Sequence, residues 1–501
     1  MNALPTPTRS LASLLEGLAN LPRDVEISDL TQDGRGARPG SAFLAVRGSA
    51  EHGLAYAPQA VANGARAVLW EPAPVAVVPE LPSGILVAPV PHLREHASLI
   101  ADRFFDAPSQ ELAIAGITGT NGKTTTAYLL AQALEDAGRP AAYMGTIGTG
   151  RPQALNPSEL TTGDAVTVQR TLADFRAGGA RHVAMEVSSH ALDQARVGAV
   201  RFRTAAFTNL TRDHLDYHGS MDSYGAAKAR LFTRPGLQSR VINVDDAFGR
   251  QLAVDPRGQG RLVVTSRGHQ ANIRAAAGFV RAMQVKLSTQ GIELEFDSSW
   301  GTGALECPLV GDFNVENLLT VIAILLDWDL PLDEVIDVLS RVRAAPGRME
   351  TFGGTNAPLV VVDYAHTPDA LRKALTAARA HCSGRLAVVF GCGGDRDPGK
   401  RPLMGAIAAE LADDVVITDD NPRTEPPAAI VTGIAAGIPA GKPYRIEHDR
   451  ARAIRETIST GAEGGVVLVA GKGHEAEQLV SGERRAFSDR AVVAEILGVA
   501  P

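Results

Sequence analysis

The segment Gly116-Ile117-Thr118-Gly119-Thr120-Asn121-Gly122-Lys123-Thr124-Thr125-Thr126 constrains this chain more than any other. An apolar run, Leu112 to Ala115, precedes it, and a helix-like pattern, Ala127 to Ala137, follows. A strand that feeds a glycine turn and opens a helix is a phosphate cradle. Backbone N–H groups and the helix N-terminus face the anion, Lys123 reaches the terminal phosphates, and the Thr124 hydroxyl can bind Mg²⁺. The spacing departs from G-x-x-x-x-G-K-[ST], because Ile117 stands where the first glycine would be; the loop is the shorter G-T-N-G-K-T. Binding of a nucleoside triphosphate follows.

At 501 residues the chain exceeds one hydrophobic core, and about 150 residues per domain predicts three. A net charge of −7 with 21% charged residues is an ordinary balance, without the basic block that nucleic acid would require. The apolar runs are strand-length, well short of the ~18 residues of a membrane span. The first ten residues hold Pro5 and Pro7 and no apolar leader, so a cytoplasmic enzyme is expected. Cys307, Cys382 and Cys392 are too widely spaced for a zinc pattern or a disulfide framework.

Beyond Glu111, short apolar runs alternate with amphipathic helix-length segments, which predicts an α/β fold. Expected strands are Val183 to Val187, Ala205 to Leu210, Val241 to Val244 and Leu262 to Thr265. Period-two alternation at 285–287 and 292–296, around Gln290-Gly291, predicts a small antiparallel sheet. A helix from Val315 to Asp327 leads to Ala345-Pro346-Gly347-Arg348, read as a linker. Strands at 359–362, 386–390, 415–418 and 466–470 then restart a doubly wound pattern. A smaller α/β module, with a helix at Leu11 to Leu18 and strands near 43–46 and 67–70, comes first. The expected domains are 1–107, 108–346 with a mainly parallel sheet, and 347–501.

Four constellations carry chemistry. Glu186, in Met185-Glu186-Val187-Ser188-Ser189-His190, ends a strand and is placed to hold Mg²⁺ against phosphates. The Asp, His and Asn residues of 207–218, His214 among them, suit a second divalent ion. Lys228, near two metals, would have to be neutral or to react with CO₂ to give an anionic carbamate. Asp420-Asn421-Pro422-Arg423, Asp395-Arg396-Asp397 and Gly471-Lys472-Gly473-His474-Glu475 follow strands of the last domain. Arg396 and Arg423 offer forks for carboxylates and Glu475 an acceptor for ammonium, which together describe an amino-acid site.

G-T-N-G-K-T at 119–124, E-V-S-S-H at 186–190, T-N-L-x-x-D-H-L-D-x-H at 208–218, N-x-x-N at 314–317, P-G-R-x-E at 346–350 and D-Y-A-H-T-P at 363–368 occur in this order. With G-C-G-G-D-R-D, D-N-P-R and G-K-G-H-E, the pattern resembles the Mur ligases over residues 30 to 490 and, within them, the branch that adds diaminopimelate. The resemblance implies a UDP-binding N-terminal domain, a central ATPase domain and a Rossmann-like C-terminal domain. It implies ligation of meso-2,6-diaminopimelate to the D-glutamate of UDP-N-acetylmuramoyl-L-alanyl-D-glutamate through an acyl phosphate, in peptidoglycan precursor synthesis. From charge and apolar run length, no nucleic-acid or membrane partner is expected, and nothing in the chain demands more than a monomer.

By the same resemblance Gly119, Thr120, Asn121, Gly122, Lys123, Thr124, Thr125, Asn314, Asn317, Arg348, Asp363 and His366 lie near ATP. Thr124 and Glu186 would hold one Mg²⁺, His214 and carbamylated Lys228 a second. Thr161, Thr162, Ser188, Gln194 and Arg196 match positions that hold the muramoyl dipeptide. Gln32-Asp33-Gly34-Arg35 stands where the family reads L-D-S-R, so Gly34 removes a hydroxyl; uridine contacts are expected around Gln32, Gly34 and Ser49-Ala50-Glu51. Arg396, Asp420, Asn421, Pro422, Arg423, Gly471 and Glu475 match positions that hold diaminopimelate. The ATP and amino-acid sites fall on different domains, so closure on ligand is expected.

Overall fold

Alternation of buried strands and amphipathic helices builds two compact units, residues 1–127 with 134–263, and 128–133 with 264–501. The structure, a computed structural model, describes residues 8–48, 51–74, 76–158, 160–268, 276–288, 290–354 and 357–499.

In the first unit, Asp29–Thr31, Ser41–Ala45, Ala67–Trp70 and Leu86–Pro89 form a four-stranded parallel sheet. All of Ser41–Ala45 is buried, as a strand covered on both faces must be. One face packs Leu30, Leu44 and Leu69 against Ile100, Phe104 and Val166, so the helix Ala165–Ala177 completes this core. The helix expected over 11–18 is regular only for Leu11–Leu14 and then turns.

A second sheet in this unit runs Ala154–Asn156, Gly148–Arg151, Ala141–Gly145, His182–Glu186, Ala113–Thr118, Thr204–Phe207, Ser239–Asn243. The last five strands are parallel, and the first two form an antiparallel edge that the sequence pattern did not signal. The chain moves from Ala113–Thr118 to one side and then to the other, so the loop after that strand lies at a topological switch point. Its neighbours end in Glu186 and Phe207, which fixes what faces the glycine turn.

In the second unit, Gly278–Ser288, Gly291–Ser298 and Gly301–Cys307 make the expected antiparallel sheet. The helix Asn314–Asp327 is buried along nearly its whole length. A six-stranded sheet follows in the order Glu350–Gly353, Leu359–Asp363, Val466–Ala470, Leu386–Phe390, Asp414–Ile417, Arg445–Ile446, parallel except for the first pair. The C-terminal ends of its four central strands carry D-Y-A-H-T-P, G-K-G-H-E, G-C-G-G-D-R-D and D-N-P-R. The stretch read as a linker is a pinned turn: Arg348 N–H donates to Ala345 O at 2.9 Å, and Gly347, at φ +64°, lies so close to the 473–474 backbone that a Cβ would stand 2.1 Å from His474 N.

Candidate active site

Gly119 follows the strand Ala113–Thr118 at φ +153°, and a Cβ there would stand 1.9 Å from Thr208 Oγ1. Only glycine fits that approach. The segment expected to continue a strand to Leu210 stops at Phe207, because 208–211 splints the glycine turn instead. Thr120 N–H donates to Asn209 O at 2.8 Å, Asn121 N–H to Asn209 Oδ1 at 3.0 Å, and Thr208 Oγ1 to Asn121 O at 2.6 Å. Lys123 and Thr124 then open the helix Lys123–Asp136, which carries Thr125 in its first turn. Lys123 Nζ donates to Gly119 O at 3.0 Å and Thr120 O at 2.9 Å.

Glu186 is fully buried at the end of the adjacent strand, and both its oxygens are engaged. Thr124 Oγ1 donates to Oε2 at 2.9 Å, Thr146 N–H to Oε1 at 2.8 Å, Thr146 Oγ1 to Oε2 at 3.2 Å, and the Tyr143 hydroxyl to Oε1. Tyr143 and Thr146 were not legible as site residues, since no motif spacing ties them to Glu186.

Lys228, on the helix Met221–Ala229, is buried and donates to Gly119 O at 2.7 Å, converging with Lys123 on one carbonyl. Its Nζ is 4.4 Å from the Tyr224 ring centroid. Burial, reinforced by repulsion from Lys123, pulls its pKa down from 10.5 to about 6. His214 is half-exposed at φ +51°, its ring 4.9 Å from His190 and its Nε2 3.5 Å from Asp213 Oδ2. Burial holds His190 and His218 below the usual imidazole range, with His214 adding repulsion to both.

Neighbouring hydroxyl and carboxylate oxygens at Thr124 and Glu186 suit Mg²⁺, which takes one or two protein oxygens and completes its shell with phosphate and water. No group of three or more His, Cys, Asp or Glu among the described residues is arranged to hold a metal unaided.

The predicted dipeptide residues meet beside Glu186. Thr161 Oγ1 is 3.0 Å from Thr146 Oγ1, Thr162 Oγ1 donates to Glu186 O at 2.9 Å, and Ser188 N–H donates to Thr162 Oγ1 at 3.1 Å. Arg196 grips Gln194 Oε1 at 2.7 and 3.0 Å and Thr162 O at 2.8 Å; burial lowers its pKa. Gln194 and Tyr217 border an open cavity of about 360 Å³ lined also by Arg47, Gly48, Glu71, Arg94 and Glu95. The arginines and Glu71 belong to no motif and emerge only from the fold. Gly34 explains its own departure from L-D-S-R: a Cβ there would stand 2.9 Å from Tyr56 O. Gln32 Oε1 accepts from Val166 N–H at 3.4 Å, and Glu51 Oε2 accepts the Tyr56 hydroxyl at 2.9 Å. Ser49 and Ala50 lie outside the described residues.

In the second unit, Asn314 and Asn317 are buried and pair at 2.8 Å, and Asn314 also donates to Val310 O at 2.8 Å. Arg348 stacks over Tyr364 at 4.9 Å, and Tyr364 lies 4.6 Å from His366 and 5.2 Å from His474 between ring centroids. Asp363 Oδ2 accepts Met349 N–H at 2.8 Å; burial raises its pKa against the opposing charge of Arg348. Gly471 N–H donates to Asp363 O at 3.0 Å, joining this group to the next. Asp420, Asn421 and Pro422 are buried, and Asn421 Nδ2 donates to Glu475 Oε2 at 2.9 Å. Arg423 donates to Gly394 O at 2.8 Å, and a Cβ on Gly393 would lie 2.7 Å from Arg423 and 3.7 Å from Arg396, so the two forks flank one loop.

Three family models match in chain order: Mur ligase family, catalytic domain, over residues 26–105; Mur ligase middle domain over 117–325; and Mur ligase, glutamate ligase domain, over 347–473. A UDP-N-acetylmuramoyl-L-alanyl-D-glutamate--2,6-diaminopimelate ligase of Xanthomonas campestris pv. campestris is 48% identical over 491 residues, 97% of either chain. A ligase of the same name from Pseudomonas aeruginosa is 48% identical over 93% of this chain and 94% of its own. A solved ligase of that name shares 33% identity at a TM-score of 0.71, covering 98% of this chain and 99% of its own. A Mycobacterium tuberculosis folylpolyglutamate synthase, at 16% identity and a TM-score of 0.59, shares the fold. With the glycine turn, Glu186 and the two lysines arranged as above, near-full-length identity at this level settles the relationship: this chain belongs to the Mur ligase family.

Proposed function

We propose that the protein is the ATP-dependent ligase that adds meso-2,6-diaminopimelate to the D-glutamate of UDP-N-acetylmuramoyl-L-alanyl-D-glutamate, a cytoplasmic step of peptidoglycan precursor synthesis. The observation that carries this is the meeting of Lys123 and Lys228 on Gly119 O, with Thr124 bonded to Glu186 and Glu186 joined in turn to the Thr162–Gln194–Arg196 cluster. A phosphate donor and a carboxylate acceptor would thus meet within one unit. The described residues hold no helix long and apolar enough to cross a membrane.

The glutamate carboxylate oxygen attacks the γ-phosphorus, ADP leaves, and an acyl phosphate forms. The diaminopimelate nitrogen then attacks the acyl carbon, loses a proton, and phosphate departs with the C–O electron pair. Phosphoryl transfer needs mainly alignment and charge neutralisation. Lys123 supplies a cation at the loop, and Arg196 and Ser188 orient the dipeptide. Mg²⁺, held by Thr124 and Glu186 and at a second position by His214 and a Lys228 carbamate, would neutralise phosphate charge. A lysine that is half neutral near pH 6 is the form able to attack CO₂, which supports the carbamate.

Asn314, Asn317, Arg348, Asp363 and His366 form the adenosine side of the ATP site in this reading. Arg423 and Arg396 take the distal carboxylate and Glu475 the distal ammonium, which selects diaminopimelate over lysine. Limits of 1–107, 108–346 and 347–501 for three domains, closure on ligand and a monomeric state belong to the same proposal.

Phosphate release from ATP with the UDP-linked dipeptide is the test, comparing meso-diaminopimelate, L-lysine and no amino acid. Release with diaminopimelate alone is expected. Equal release with lysine would keep the ligase and refute the specificity, and no stimulation by either would refute both.

A further inference from the structure

The loops that follow the C-terminal strands are tied together by a side chain with no role in the reading above. Lys472 is wholly buried, yet its ammonium reaches three acceptors: Asn421 Oδ1 at 3.0 Å, Glu475 Oε2 at 2.9 Å and Glu477 O at 2.6 Å. Three donors thus meet three acceptors. A buried ammonium is costly to desolvate and persists only where such acceptors surround it. The acceptors come from three segments: D-N-P-R, G-K-G-H-E, and the first residue of the hairpin Glu477–Val480 and Glu483–Ala486.

The same segments hold one another. Asn421 Oδ1 also accepts Leu479 N–H at 2.9 Å, and Gln478 Nε2 donates to Asp420 O at 2.8 Å. Arg423 N–H donates to Leu479 O at 2.9 Å, and Ser481 N–H donates to Arg423 O at 2.7 Å. Arg423 is thereby kept at φ +54°, a conformation a non-glycine residue holds only when its surroundings impose it. Glu475 Oε2 is taken by Lys472 and Asn421, while Oε1 carries no hydrogen bond among the described residues.

We propose that Lys472 is the positioning residue of the amino-acid site. It orients the Glu475 carboxylate so that one oxygen faces a substrate ammonium. Through Asn421 and the hairpin it also fixes Arg423 relative to that carboxylate. A ligand whose distal centre bears both an ammonium and a carboxylate needs an anion and a cation at one set separation, and this network sets it. The inference rests on the reading of 420–423 and 475 as the amino-acid site.

The test is steady-state kinetics of Lys472→Met and Lys472→Gln, with KM measured separately for diaminopimelate, ATP and the UDP-linked dipeptide. Lys472→Met is expected to raise KM for diaminopimelate at least tenfold, with the other two within twofold. Lys472→Gln, which keeps two donors, should raise it by an intermediate factor of at least threefold. A parallel rise in all three KM values, a loss confined to kcat, or no change would overturn the proposal. If Lys472→Met is not recovered folded, Lys472→Gln decides by the same threefold criterion. Wild-type protein that fails to use diaminopimelate would instead overturn the underlying functional reading.

Discussion

Lys228 shows how one residue takes its chemistry from its surroundings. In the unfolded chain it keeps its proton up to about pH 10.5; in the folded chain burial and Lys123 reduce this to about 6. Between those limits the unfolded state binds more protons, so this group makes stability rise with pH across that window. Replacing it, as Lys228→Met, should flatten the rise, measured as the denaturant midpoint from pH 6 to 10 in CO₂-free buffer. An unchanged slope would mean that the lysine is not held neutral. For activity, Lys228→Ala should lose at least a hundredfold and recover part of it with small added carboxylates; no recovery would remove the support for a carbamate. Glu186→Gln keeps the shape of its hydrogen-bonding group but not its charge. Removing one preorganised hydrogen-bond donor at a transition state costs ~10²–10³ in kcat, and a loss of at least that order is expected here. The variant should also need more Mg²⁺ for half-maximal rate, and an unaltered Mg²⁺ titration would argue against Glu186 as a ligand.

At the scale of elements, turns decide more than helices do. The Ala345–Arg348 turn sits against the G-K-G-H-E loop and the start of the strand Glu350–Gly353, where Glu350 accepts Gly347 N–H at 2.8 Å and pairs with Arg490 at 2.5 and 2.8 Å. Gly347→Ala would place a methyl 2.1 Å from His474 N at a positive φ. A loss of about 1–3 kcal/mol is expected. Calorimetry checks this, and a transition within a degree of wild type would show that the turn can relax. The core strands at 386–390 and 466–470 were legible to the residue, because strands covered on both faces read as continuous apolar runs. The peripheral strands Gly148–Arg151, Ala154–Asn156 and Glu483–Ala486 were not, because they bury too little to leave a pattern. The strand ending at Phe207 was overextended because Thr208 and Asn209 look like a strand end locally while their hydrogen bonds go to the glycine turn.

For the whole molecule, ligand that binds only the folded state stabilises it by mass action, about 2.7 kcal/mol at a hundred times Kd. ATP with Mg²⁺ should therefore raise the melting temperature, and EDTA should abolish most of the shift while leaving the unliganded transition where it was. A shift that persists in EDTA would mean that Thr124 and Glu186 do not carry a needed ion.

The sequence by itself determined the α/β class, the glycine turn that opens a helix and the order of the motifs, because each is written in contiguous residues whose local geometry follows from composition and spacing, and it pointed to the family through the resemblance of those motifs. Only the tertiary structure decided that Tyr143 and Thr146 hold Glu186, that Gly34 must be small beneath Tyr56, and that Lys472 joins Asn421, Glu475 and Glu477. Apart from the short reach of Lys472 to Glu475 and Glu477, these contacts connect residues 22 to 51 positions apart. Which distant side chains meet is set by strand order and loop packing, and neither leaves a mark on local sequence.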